Sequence, residues 1–322
     1  LNALQPYRFV WENCIFSLGV SIGQVVCDSY KHTPEQYLSM ADAACYIAKE
    51  RGRNQIHRYS NEDESVKRYE QELSWVSAIN DALENDRFTL FYQHCRPLNK
   101  AIDGDYYEIL LRLQNEDGSL VPPGAFLPSA ERYNLISKID RWVVENTFRW
   151  LAGHRDALDS LQRCSINLSG QSLADRDLKL FILNAFESFG IPYQKVCFEI
   201  TETAAILRMD ETKAFMRTFR QLGCKFALDD FGSGFSSYTY LKHLPVDCVK
   251  IDGSFIKDML NDPVDAAMVS SIKDVAKAIG METVGEFVEN EATMAQLGRM
   301  GVDYAQGYGV AMPAPLEQYK PL

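Results

Sequence analysis

The chain has 322 residues, 46% of them hydrophobic, which suits one large domain with an ordinary core plus a smaller neighbour and excludes a disordered or fibrous protein. Its 33 basic and 44 acidic side chains leave a formal charge of -11, which argues against the broad basic surface needed to bind polymeric DNA or RNA. No apolar run approaches the roughly 20 residues of a membrane-spanning helix, and the N-terminus has no basic region followed by an apolar stretch.

In chain order, the first segment pairs a strand-like run over 16–23 with a helix predicted to start at Thr33-Pro34 and stop near Gly52. One hairpin and one helix are too little to bury a core, so residues 1–60 read as the end of a larger α+β domain. Residues 61–86 are charged, lack glycine and proline and read as a connecting helix, with Tyr69, Leu73, Val76, Ile79 and Leu83 at helical spacing and 61–80 as the linker between the two domains.

From residue 88 onward, short β-branched or aromatic runs alternate with amphipathic stretches. Strands are predicted at 88–95, 106–113, 164–168, 196–201, 226–229, 248–252, 283–286 and 304–306. Helical pattern occupies 139–151, 178–189, 211–222 and 266–279. This alternation predicts an α/β fold, a (β/α)8 barrel over 81–322, with an open doubly wound sheet as the alternative. The first two strands are joined too closely for a helix, so they form an antiparallel hairpin and the barrel is irregular. Cys14, Cys27, Cys45, Cys95, Cys164, Cys197, Cys224 and Cys248 are scattered without paired spacing and read as buried, reduced thiols of a cytoplasmic protein. A membrane anchor in a longer parent is left open.

Polar residues end these strands: Asn167, Glu199, Asp229 with Asp230, Lys250, Glu286 and Gln306, while Glu108 lies within the second strand. In a barrel, the C-terminal strand ends converge on one mouth. Five carboxylates gathered there would repel one another and need protons or cations to compensate. Oxygen ligands without histidine or cysteine suit Mg²⁺ or Mn²⁺. The adjacent Asp229-Asp230 pair suggests two ions, as in two-metal phosphoryl chemistry. Taken singly, Asp-Asp-Phe-Gly is usually a turn and Lys250 could be a snorkelling lysine. Their recurrence at successive strand ends argues for one shared site.

The residues Tyr107-Glu-Ile-Leu-Leu-Arg112, Asn167-Leu-Ser169, Phe198-Glu-Ile-Thr-Glu202, Asp229-Asp-Phe-Gly-Ser-Gly-Phe-Ser-Ser237, Val249-Lys-Ile-Asp252, Gly285-Glu286 and Gln306-Gly-Tyr308 together resemble the EAL-domain cyclic di-GMP phosphodiesterases, from about residue 75 to the end. Ser21-Ile-Gly23 and the run from Ala41 to Asn54 resemble the last part of a GGDEF, or diguanylate cyclase, domain. The turn that names that domain is not among these residues, so no cyclase activity is expected of them.

The resemblance implies hydrolysis of cyclic di-GMP to linear pGpG in bacterial second-messenger signalling, by a homodimer joined through a modified TIM barrel whose first strand is antiparallel. It implies that Glu108, Asn167, Glu199 and Asp229 hold one metal, while Asp229 and Asp230 bridge to or hold the second. Lys250 would orient and activate the attacking water, with Glu286 and Gln306 completing the metal and water shell. Gln93, Leu110 and Arg112 would contact the nucleotide, Arg112 at its phosphate. The segment 230–237 would be a mobile loop linking the metal site to the dimer interface, with Glu202 as its anchor or, equally, a solvated acid. Three departures stand out: Ile109 for alanine, His94 for proline and Phe287 for glycine, the last two able to reshape the pocket. The competing readings are a receptor that binds cyclic di-GMP without cutting it, against which the complete acid set counts, and an interaction element built on the N-terminal part.

Overall fold

The computed structural model describes residues 8–12, 14–17, 19–28, 31–60, 62–98, 104–233 and 238–321. The chain divides into two compact units, one up to Ala78 and one from Ile79 onward.

In the first unit, β1 (Arg8–Trp11) and β2 (Cys14–Ser17) form an antiparallel hairpin, while β3 (Ile22–Gln24) pairs in parallel with β4 (Ile56–Arg58). The single strand predicted over 16–23 is therefore two pieces with different partners: Phe16 faces Phe9, and Ile22 faces Ile56. The helix Pro34–Glu50 opens as the sequence predicted, with a capping box in which Thr33 Oγ1 accepts from the Gln36 amide and Gln36 Oε1 accepts from the Thr33 amide. Gly23 lets this helix approach, because a Cβ there would fall 1.9 Å from the Ala41 carbonyl oxygen. The next helix covers Glu64–Glu84, within the 61–86 pattern and beyond the 61–80 assigned to the linker, since Asp81-Ala-Leu-Glu84 contains nothing to stop it.

The second unit is a closed eight-stranded barrel of β5 (Phe88–Pro97), β6 (Asp105–Gln114), β8 (Leu161–Asn167), β9 (Val196–Thr201), β10 (Lys225–Phe231), β11 (Cys248–Ile251), β12 (Glu282–Gly285) and β13 (Tyr304–Gln306). Two short strands, β7 (Leu120–Val121) and β14 (Ala314–Pro315), flank it. From β6 to β13 every barrel neighbour is parallel. β5 runs antiparallel to both β6 and β13 and closes the ring, which removes the open doubly wound alternative.

The four helical patterns appear as Ile136–Gly153, Arg176–Phe189, Met209–Leu222 and Pro263–Ala278. Phe186, Phe198, Phe215, Phe219 and Phe226 are buried in mutual ring contact, tying the second and third of these helices to β9 and β10. Burial of each such ring contributes about 1.5–3 kcal/mol. Of the cysteines, Cys95, Cys164, Cys197, Cys224 and Cys248 are buried, whereas Cys14 and Cys27 are exposed and Cys45 is half-buried, which corrects the uniform burial predicted. Cys14 is exposed because the faces of its hairpin are open to solvent. Among the described residues, no helix is long and apolar enough to cross a membrane.

One buried carboxylate ties a helix to the segment after β8. Asp140 Oδ2 accepts from the Ser169 amide at 2.9 Å and from Ser172 Oγ at 2.6 Å. Burial nevertheless pushes Asp140 up to about 6, from 3.8. A folded-state value above the unfolded one gives stability that is full below about pH 3.8 and lost as pH rises through about 6. Between pH 4 and 7, the unfolding free energy of Asp140→Asn should therefore rise relative to the native chain, by up to about 3 kcal/mol. Denaturant titrations across that range check it, and a constant difference would show that Asp140 does not titrate in this way.

Candidate active site

The barrel interior is built in layers spaced two residues apart, because alternate strand residues face the same side. A floor layer contains Cys95, Tyr106, Cys197, Ala227, Cys248, Val284 and Tyr304. Two residues further along each parallel strand stand Glu108, Glu199, Asp229, Lys250, Glu286 and Gln306. On antiparallel β5 the count reverses, so Gln93, two residues before Cys95, joins them and lies opposite Glu108. The small thiols and alanine of the floor leave room for the long polar side chains above, and burial keeps the thiols protonated by raising Cys197 to about 12.

Lys250 is the hub of this upper layer. Its ammonium lies 2.7 Å from Glu199, 3.0 Å from Asp229, 3.0 Å from Glu286 and 3.1 Å from Glu108, and its side chain is only 1% exposed. Burial alone would lower the lysine, but the surrounding carboxylates raise it well above its ordinary value, so it is charged. Glu108 is satisfied from three directions, by Asn167 Nδ2 at 2.6 Å, Gln306 Nε2 at 2.7 Å and Lys250. Burial pushes Glu108 up, but Lys250 and these amides outweigh it and hold the carboxyl below its usual range.

Glu199 and Glu286 go the other way. Complete burial, reinforced by Glu108 and Asp229, pushes Glu199 up to about 8 despite Lys250. Burial likewise holds Glu286 well above the carboxylate range. Glu199 Oε1, Glu286 Oε2 and Gln306 Oε1 are buried without a donor among the described residues, and Glu199 Oε2 and Asp229 Oδ1 face only the shared Lys250 ammonium. Four carboxylates around one ammonium, with Asp230 next to Asp229, thus leave oxygen lone pairs and negative charge uncompensated, a donor set that fits hard divalent cations.

Asp229 and Asp230 reach the same mouth through a backbone irregularity. Consecutive strand residues normally face opposite sides, but the β10–β11 register slips between Leu228 and Phe231, and Asp230 takes a positive φ of 53°. As a result, one oxygen each from Asp229, Asp230 and Glu286 lies within 4.8 Å of the others. Partial burial of its carboxyl and then the charge of Asp229 raise Asp230 to about 6, although the residue as a whole sits exposed at the rim.

A cavity of about 500 Å³ opens over this cluster. Gln93, Leu110, Arg112, Glu108, Asp229, Asp230, Lys250, Glu286 and Gln306 line it, whereas Asn167 and Glu199 do not: Asn167 is exposed at the end of β8 and Glu199 lies beneath, fully buried. Arg112 lies over the Phe91 ring at 5.3 Å and donates to the Leu111 carbonyl. Sequence reasoning missed Lys257, Glu289 and Pro313 as lining residues and gave Tyr308 no role. They come from connections beyond the strands, where no periodicity marks them.

Two departures do not touch the cavity. His94 and Ile109 are the outward neighbours of Gln93 and Glu108, and His94 bonds the Lys320 carbonyl at 3.0 Å among Tyr92, Tyr107 and Tyr319. The suggestion that His94 reshapes the pocket is thereby corrected, while Phe287 does line it. Glu202 is buried rather than solvated, accepting from the Gly232 amide at 3.0 Å and from the Tyr240 hydroxyl. The predicted mobile loop lies in part, at 234–237, outside the described residues.

The sequence profile of the EAL domain matches residues 76–313. The chain is 41% identical over 309 residues to the cyclic di-GMP phosphodiesterase PdeB of Shewanella oneidensis, covering 96% of this chain and 36% of that protein. It is 30% identical to the cyclic di-GMP phosphodiesterase PdeF of Escherichia coli, covering 97% and 41% respectively. It therefore spans about two fifths of the length of these curated relatives. Among solved structures, the MucR phosphodiesterase in complex with c-di-GMP superposes with a TM-score of 0.70 at 32% identity, covering 76% of this chain and 99% of that one. With the antiparallel first strand, the acid-lined mouth and these likenesses in agreement, the chain belongs to the EAL-domain family.

Proposed function

We propose that this chain hydrolyses cyclic di-GMP to linear pGpG with two divalent ions, Mg²⁺ or Mn²⁺, held at the barrel mouth. The observation that carries this reading is the set of four buried carboxylates sharing the one Lys250 ammonium in the upper layer, with Glu199 Oε1 and Glu286 Oε2 left without a donor among the described residues. Glu108, Asn167, Glu199 and Asp229 would hold one ion, and Asp229, Asp230 and Glu286 the second. When bound, the ions neutralise the cluster, acidify a water and stabilise the leaving oxygen.

The chain's own residues then have distinct tasks. Arg112 offers a guanidinium fork to the substrate's phosphate on a wall otherwise rich in acids. Lys250, charged and fixed by four carboxylates, orients the attacking water by hydrogen bonding and steadies negative charge as it develops at phosphorus. Gln306 and Gln93, joined at 3.4 Å, position the floor of the nucleotide site. The water oxygen bonds to phosphorus, the P–O3′ bond breaks, and the phosphate stays on the 5′ side as pGpG. Residues 1–60 are read as GGDEF-like and residues 61–80 as a connecting helix. The homodimer through the barrel and the cytoplasmic setting belong to the same proposal.

Incubation of the protein with cyclic di-GMP and Mg²⁺ or Mn²⁺ should yield pGpG by chromatography. Glu108→Ala and Asp229→Ala should each lower turnover at least 100-fold, about 3 kcal/mol of barrel-mouth electrostatics. Binding without product over hours in either metal would establish the receptor reading instead. Ca²⁺, larger and less strict in its geometry, should support nucleotide binding with little turnover. Equal rates in Ca²⁺ and Mg²⁺ would show that the metal's role has been misassigned.

A further inference from the structure

The cavity rim beside Glu286 carries an arrangement that the acid cluster does not use. Phe287 takes a positive φ of 50°, a conformation that a β-substituted residue adopts only at a cost. The residue is nevertheless 56% exposed, so burial does not offset that cost. The ring lies against bare backbone at Gly253, where a Cβ would fall 2.1 Å from Phe287 Cδ2. Any side chain at 253 would lift it away. Lys257 Nζ sits over the ring, 4.8 Å from its centroid, and both residues line the cavity.

A ring backed by glycine, held open at the rim of an otherwise polar cavity, is suited to stacking on a flat aromatic ligand. The Lys257 ammonium that covers the ring here would swing to the edge of a stacked ligand and donate to acceptors there. Of the four bases, guanine presents two adjacent acceptors, O6 and N7, to such a donor. We propose that Phe287 and Lys257 form a base subsite, Phe287 stacking on one guanine of the substrate and Lys257 reading its O6 and N7 edge. This assignment rests on the cyclic di-GMP reading above. It gives the Phe287 departure a role: the substitution adds a stacking surface immediately after Glu286.

Kinetics in Mn²⁺ with cyclic di-GMP and with its abasic analogue, the same cyclic ribose diester without bases or any other aromatic ring, test the assignment, together with equilibrium binding of cyclic di-GMP in Ca²⁺. Phe287→Gly relaxes the positive φ, so its effect will not arise from misfolding. It should raise the KM and Kd for cyclic di-GMP roughly five- to hundredfold, with kcat within about threefold and a much smaller KM change for the base-free diester. Phe287→Trp should restore most of the loss, and Lys257→Met should narrow the preference for cyclic di-GMP over cyclic di-AMP. Equal KM changes for both diesters, or an unchanged Kd in Phe287→Gly, would overturn the subsite. A native chain that binds cyclic di-GMP without cutting it would remove the hydrolase reading alone, and the Kd ratio would still decide for or against Phe287.

Discussion

Four carboxylates crowd one buried ammonium, and the rest of the barrel can be understood as the framework that makes this tolerable. Like charges a few ångströms apart repel, and removing them from water adds to the penalty, so such a cluster does not arise as a contribution to stability. Lys250 offsets part of the repulsion, and the amides of Asn167 and Gln306 fix Glu108 on its outer side. The remainder is visible in Glu199 and Glu286, whose carboxyls are held above their ordinary range. A closed ring of hydrogen-bonded strands can hold these groups in place, because no strand can move outward without breaking two ladders.

The same ring explains how the site is encoded. The floor residues and the chemical residues above them are separated by two positions on β6, β9, β10, β11, β12 and β13 and by minus two on β5. Cys197 with Glu199, Cys248 with Lys250 and Tyr304 with Gln306 are each one floor residue and one reactive residue. The scattered cysteines of the sequence are thus partly the small members of a packing layer.

Much of this was legible beforehand. All eight barrel strands follow from short β-branched or aromatic runs, the strand-end acids from the polar residues that close those runs, and the antiparallel hairpin from a link too short to hold a helix. The inward direction of Gln93 and the outward direction of His94 were also legible, since neighbours on one strand face opposite sides, yet both were first placed near the pocket. The bulge that turns Asp229 and Asp230 to one mouth was not, because a register slip leaves no mark in a string of residues. Lys257 and Glu289 were missed for a related reason: connections have no period. At the other end of the chain, the run over 16–23 looked continuous because propensity reports extended backbone and not which partner it meets.

The seam between β5 and β13 joins Cys95 to Gln306, and across it Gln306 reaches Glu108, 198 positions away in sequence. During synthesis the residues around Glu108 leave the ribosome long before their last neighbour exists. A nascent chain therefore has the acids but not the assembled centre. The ring, and with it the contact of Gln306 to Glu108, is complete only when β13 pairs with β5.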